Sequence, residues 1–116
     1  MPHATFSDHP PLSEFWRQFR PFKTHDGDGV IIEGRSTYLR QDENAVLVQC
    51  LVIEVGPPMI FNVLCELKNG RVTIRCESHS NVARTKAVKE VVRRVVLQFI
   101  AMGARVERTN LELEQV

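Results

Sequence analysis

The sequence has little that marks a reaction centre. It contains no G-x-S-x-G elbow, no P-loop and no G-x-G-x-x-G stretch, so the common nucleophile and phosphate cradles are excluded. No apolar run approaches the roughly 18 residues of a membrane-spanning helix. Neither sign of charge dominates: 15 Lys and Arg stand against 14 Asp and Glu, so any attraction to nucleic acid or lipid must be local. Cysteine is sparse and odd in number. Cys50, Cys65 and Cys76 each sit in an apolar run and none forms a C-x-x-C pair, a pattern of buried reduced thiols rather than a disulfide frame. The first residues, MPHATFSDHPP, have neither a basic start nor an apolar stretch, so no secretory leader is read there and a cytoplasmic protein is expected.

What is present is an ordinary folding composition. Hydrophobic residues make up 43% and charged residues 25% of 116 positions, which suits one domain and argues against global disorder. Residues 1–10 carry His3 and His9 and run into Pro10–Pro11, and they read as a flexible tail. Leu12, Phe15, Trp16 and Phe19 then fall at i, i+3, i+4 and i+7, the spacing of one apolar helix face. Pro21 ends that short helix.

Four strand-like runs follow the loop at 24–29: Val30 to Leu39, Ala45 to Val55, Met59 to Leu67 and Arg71 to Glu77. Asn69–Gly70 between the last two is a strong hairpin signal, because both central residues must take positive φ. Alternation assigns Val72, Ile74 and Cys76 to one face of the fourth run, and Met59, Phe61, Val63, Cys65 and Leu67 to one face of the third. The second run is apolar on both faces, with Leu47, Leu51, Ile53 and Val55 on one and Val46, Val48, Cys50 and Val52 on the other. Such a strand is covered twice. One cover is the C-terminal helix; the N-terminal helix, a second subunit or a ligand is left for the other.

That helix is expected from about Val82 to Met102, capped from among Ser78–Asn81 and ended by Gly103. Val88, Val91, Val92, Val95, Phe99 and Met102 form its stripe, with Lys86, Lys89, Glu90, Arg93 and Arg94 opposite. Residues 104–116 are an edge strand or a frayed end. The resulting fold class is α+β: a short N-terminal helix, a four-stranded antiparallel meander and a long C-terminal helix packed on the sheet, all in a single domain spanning 11–103.

The candidates for chemistry are thin. Asp26–Gly27–Asp28–Gly29 hints at a calcium loop, but the twelfth position from Asp26 is Thr37 where a closing Glu is needed. None of His3, His9, His25 and His79 forms an i,i+4 ligand pair. Cys76 with His79 is a conceivable dyad, yet Cys76 shares a face with Val72 and Ile74, and burial raises a thiol pKa. No catalytic residue, metal ligand or cofactor site is therefore assigned, and a non-enzymatic chain is expected.

The strand RVTIRC running into an aliphatic helix, together with the aromatic helix SEFWRQF near the start, is similar to the platform subdomain of clathrin-adaptor appendage domains. The kinase-associated-1 domain has a comparable layout. The likeness covers order of elements, with no residue-by-residue signature. It implies a partner-binding role: peptides in one family, acidic lipids or a kinase domain in the other.

The expected function is a protein-binding or assembly module in a larger complex, self-associating as a homodimer. Its candidate partner surface is Val48, Cys50, Ile60 and Leu64, with Leu97 and Ile100 at the helix end. The alternative is a binder of nucleic acid or acidic lipid that uses the basic face Lys86, Lys89, Arg93 and Arg94; a small enzyme comes third.

Overall fold

In the computed structural model, which describes residues 1–25, 29–77 and 85–113, nine elements follow one another. They are β1 (His3–Asp8), α1 (Leu12–Gln18), β2 (Phe22–His25), β3 (Ile31–Leu39), β4 (Ala45–Ile53), β5 (Met59–Lys68), β6 (Arg71–Cys76), α2 (Lys86–Ala101) and β7 (Arg105–Thr109). The strands form one curled antiparallel sheet in the order β2-β3-β4-β5-β6-β1-β7. The four-stranded meander is therefore corrected to seven strands. Its four runs are β3 to β6, with ends within a residue or two of those expected, and three further strands extend the sheet on both sides.

The largest correction is at the start of the chain. Residues 1–10 are not a tail: β1 lies inside the sheet between β6 and β7. Ala4 pairs with Ile74 and Phe6 with Val72, and both Ala4 and Phe6 are completely buried. Only two apolar residues alternate in HATFSD, too few to declare a strand locally. Its partners lie some 70 to 100 residues away in sequence. The short helix thus comes second, after a strand. Within 104–116, Arg105–Thr109 form an edge strand, β7, that pairs with β1.

Local signals that depend on neighbouring residues hold. Asn69 and Gly70 have φ of 54° and 74°, the positive values a two-residue hairpin needs. Gly103 has φ 95° directly after α2, and the N–H of Ala104 donates to the Phe99 carbonyl at 3.1 Å, closing the helix end. The cap at the other end is Thr85, whose hydroxyl accepts from Val88 N–H at 3.2 Å. The expected caps Ser78–Asn81 lie outside the described residues.

Both helices lie on the same side of the sheet. Leu12 and Phe15 of α1, and Val88, Val91, Val92, Val95, Val96 and Phe99 of α2, share one buried cluster with Val46, Val48, Cys50 and Val52 of β4. Phe99 sits at its centre, its ring centroid 3.9 Å from that of Phe15 and 5.4 Å from that of Phe6. Helix α2 touches β3, β4 and β6, so the sheet wraps around it. Paired polar contacts fix α1 and the segment after it. Trp16 Nε1–H donates to the Thr37 carbonyl while Thr37 Oγ1–H donates to the Trp16 carbonyl. Gln98 exchanges two hydrogen bonds with the backbone of Arg20.

Edge strand β2 is held by a close approach. Phe22 faces Gly34 in register, and a Cβ at Gly34 would come within 2.4 Å of the Phe22 ring. That ring is half-buried, next to Phe19 and under the Arg94 guanidinium. Gly34→Ala is expected to destabilise the protein by about 1–3 kcal/mol, the usual cost of overpacking. Urea unfolding measures it. An unshifted midpoint would mean that Phe22 swings aside freely.

Candidate functional site

Both helices pack on one face, so among the described residues no helix covers the other, open face of the sheet. Strand alternation then fixes which residues it carries. Tyr38, Leu47 and Leu64 stand in one row across β3, β4 and β5, and Leu51 and Ile60 in another. Ile31 and Ile53 continue the apolar surface beyond the second row. Between the rows run Ser36, Gln49 and Asn62. A register shift between Gly34 and Ser36 makes Arg35 the extra residue, so Glu33 and Ser36 both point outward.

Burial supports this assignment. Ala45 and Leu51 are buried, yet neither belongs to the helix-covered core cluster. Ile60 and Tyr38 are 60% and 56% exposed, and Leu47 and Leu64 are half-exposed. Large aliphatic side chains left to water at adjacent positions form a patch of the kind that marks interaction sites.

The patch is bounded by charge. Arg75 and Arg40 both reach Glu66, each at 3.7 Å, and Arg40 Nε donates to Asp42 at 2.8 Å. That hydrogen bond, helped by the Asn44 N–H, holds the Asp42 carboxyl below its usual range. Arg71 pairs with Glu107 at 2.8 Å beyond. The open face thus carries two apolar rows across β3–β5, divided by Ser36, Gln49 and Asn62, and is ionic towards β6, β1 and β7. Trp16 and Tyr38, the one tryptophan and the one tyrosine of the chain, flank a groove of about 480 Å³ at one corner.

The residues expected to form a partner surface are separated by the sheet. Ile60 and Leu64 are on the open face. Val48 and Cys50 are on the opposite one, fully buried beneath the helices. Leu97 and Ile100 are half-buried on α2, on the helix side, and Ile100 packs against the core. The partition of β4 into two faces was legible from alternation; which of the two the helices cover was not. Tyr38, Leu47, Gln49 and Leu51 were missed for that reason.

The basic face of α2 is largely engaged within the chain. Arg94 pairs with Glu90 at 2.8 Å and lies 5.8 Å over the Phe22 ring. Arg93 reaches Glu90 at 3.3 Å and the Glu112 carbonyl at 2.9 Å. These two arginines tie the helix to the segments at both edges of the sheet. Lys86 and Lys89 are exposed. All four cations line a groove of about 820 Å³ that also carries Glu54, Glu90 and Glu112, so its charge is mixed.

The three cysteines are buried free thiols on the helix-covered face. Burial pushes Cys50 up to about 12, with Cys76 adding to it; burial raises Cys65 and Cys76 too. Native protein at pH 8 is expected to react with Ellman's reagent about 100-fold more slowly than unfolded protein, in which all three thiols are accessible. The same shifts have a pH consequence. An unfolded thiol ionises near 8.5 and the folded ones do so higher, so their contribution to stability is intact at neutral pH and declines as pH rises past about 8.5. Fast thiol reaction in the native state would contradict this packing.

Among the described residues, no group of three His, Cys, Asp or Glu is placed to hold a metal ion, and no helix is long and apolar enough to cross a membrane. Asp26–Asp28 and His79 lie outside the described residues. Compared with models of protein families, with curated proteins and with solved structures, the chain matches none of them.

Proposed function

We propose that the chain is a protein-binding module whose docking surface is the open face of β3, β4 and β5. One observation carries the reading: Tyr38, Leu47 and Leu64 stand side by side, with Ile60 one polar row away, on a face that neither described helix covers and that is flanked by the ion pairs at Glu66. An apolar centre within a polar rim is the usual anatomy of a protein interface. The shifted ionisations within the fold also fit a binding role better than catalysis. The thiols are moved away from reactivity, and the perturbed carboxylate, Asp42, lies in an exposed turn.

Affinity capture with three forms of the full chain tests the proposal: wild type, Ile60→Glu/Leu64→Glu, and Lys86→Glu/Lys89→Glu. Partner retention should survive the helix charge reversal and moderate salt, and be lost in the sheet-face variant. The opposite pattern, steep loss with salt and with the helix variant, would replace this reading with binding of nucleic acid or acidic lipid.

A further inference from the structure

We infer that the partner of the open sheet face is a second copy of this chain, packed face to face about a two-fold axis through the Gln49–Asn62 pair. The inference rests on the docking surface proposed above and names its occupant.

The ground for it is the pattern of the face. Across β4 and β5 the outward pairs run Leu47 with Leu64, then Gln49 with Asn62, then Leu51 with Ile60. Aliphatic, amide and aliphatic pairs are evenly spaced, two residues apart along each strand. The pattern therefore reads the same from either end and from either strand. A two-fold axis in the plane of the face can run along the strands or across them. In both cases it lays aliphatic on aliphatic and amide on amide.

A two-fold contact requires such a self-complementary patch. The amides complete the match, because each carries both a donor and an acceptor and can pair with its own kind. Gln49 and Asn62 are partly exposed on this face, so their amides can reach a partner. With the axis along the strands, Tyr38 of one copy comes over the row position of Arg75 in the other, since both flank the Leu47–Leu64 pair. That is an aromatic ring facing a cation.

The area sets the strength. Three strands at about 4.8 Å spacing and some eight residues at about 3.3 Å give a flat footprint of roughly 400 Å² per copy. That is roughly 800 Å² for the pair before side-chain relief and the ionic rim are counted, against about 1,200–2,000 Å² for a standard stable complex. The sheet curls away from this face around α2, which limits the gain. The dimer is expected to be weak, with a dissociation constant on the order of tens of micromolar.

Sedimentation equilibrium of the full chain from a few micromolar to several hundred micromolar tests this. The mass should rise from 13.3 kDa toward twice that value. Leu64→Glu should weaken association at least tenfold. Gln49→Glu/Asn62→Asp changes only partly exposed amides to carboxylates of the same size, so it keeps the test sound if Leu64→Glu fails to fold. It should be monomeric at pH 7 and recover association as the pH falls through about 4, the range in which Asp and Glu carboxylates take up protons. A wild type that stays at 13.3 kDa throughout, while the sheet-face variant loses capture of some other protein, overturns the dimer and leaves the docking surface standing. A monomer whose capture is indifferent to the sheet face overturns both. Association unchanged in the Gln49→Glu/Asn62→Asp variant also overturns the dimer proposed.

Discussion

A chain lacking residues 1–8 should not fold. Those residues include all of β1, which stands between β6 and β7 and is the sole sheet partner of β7. Removing them withdraws Ala4 and Phe6 from the core, takes the Phe6 ring from its stack on Phe99, and leaves β7 without a neighbour. Loss of Phe6 alone is worth about 3–5 kcal/mol by the usual large-to-small scale. The lost strand ladder and the detached β7 add to that, against a total stability of about 5–15 kcal/mol for a domain. The truncated chain should show no cooperative urea transition and collapsed amide proton dispersion. A cooperative transition with an unchanged slope would show that β1 is dispensable, and would contradict its interior place in the sheet.

The second large effect is expected at Phe99. Its ring lies between those of Phe15 and Phe6 at 3.9 and 5.4 Å and has no exposure to solvent. Truncation removes the contact that joins α1, α2 and β1 in one cluster. Phe99→Ala should cost about 3–5 kcal/mol, and at about 4–8 °C per kcal/mol for a domain of this size the thermal midpoint should fall by roughly 12–40 °C. A double-mutant cycle with Phe15→Ala should report about 0.5–1.5 kcal/mol of coupling for the stacked pair. An unchanged midpoint in Phe99→Ala would mean that α2 is packed in another register.

The partner surface shows where legibility stopped. Period-two alternation divided β4 and β5 into their two faces from sequence alone, and the structure keeps that division residue for residue. The step from faces to exposure needed the side on which α1 and α2 pack. The N-terminal helix is one of the expected covers for the second face, and in the structure α1 packs with α2 on the first. Val48 and Cys50 were consequently grouped with Ile60 and Leu64, although the thickness of the sheet lies between them.

The sequence by itself determined what is set by close neighbours. It placed the four central strands, the Asn69–Gly70 turn with its positive φ, the Gly103 stop after α2, and the apolar stripe of that helix. Each follows from backbone sterics or a short period, which a few adjacent residues are enough to impose. Only the tertiary structure decided the strand identity of residues 3–8, the edge places of β2 and β7, and the open face. A six-residue segment with two apolar side chains becomes a strand when β6 and β7 supply hydrogen-bond partners on both sides, and those partners are some 70 to 100 residues away. Likewise, a strand apolar on both faces predicts two covers, and the described helices supply one of them. Which face the helices take depends on how the whole core closes around Phe99.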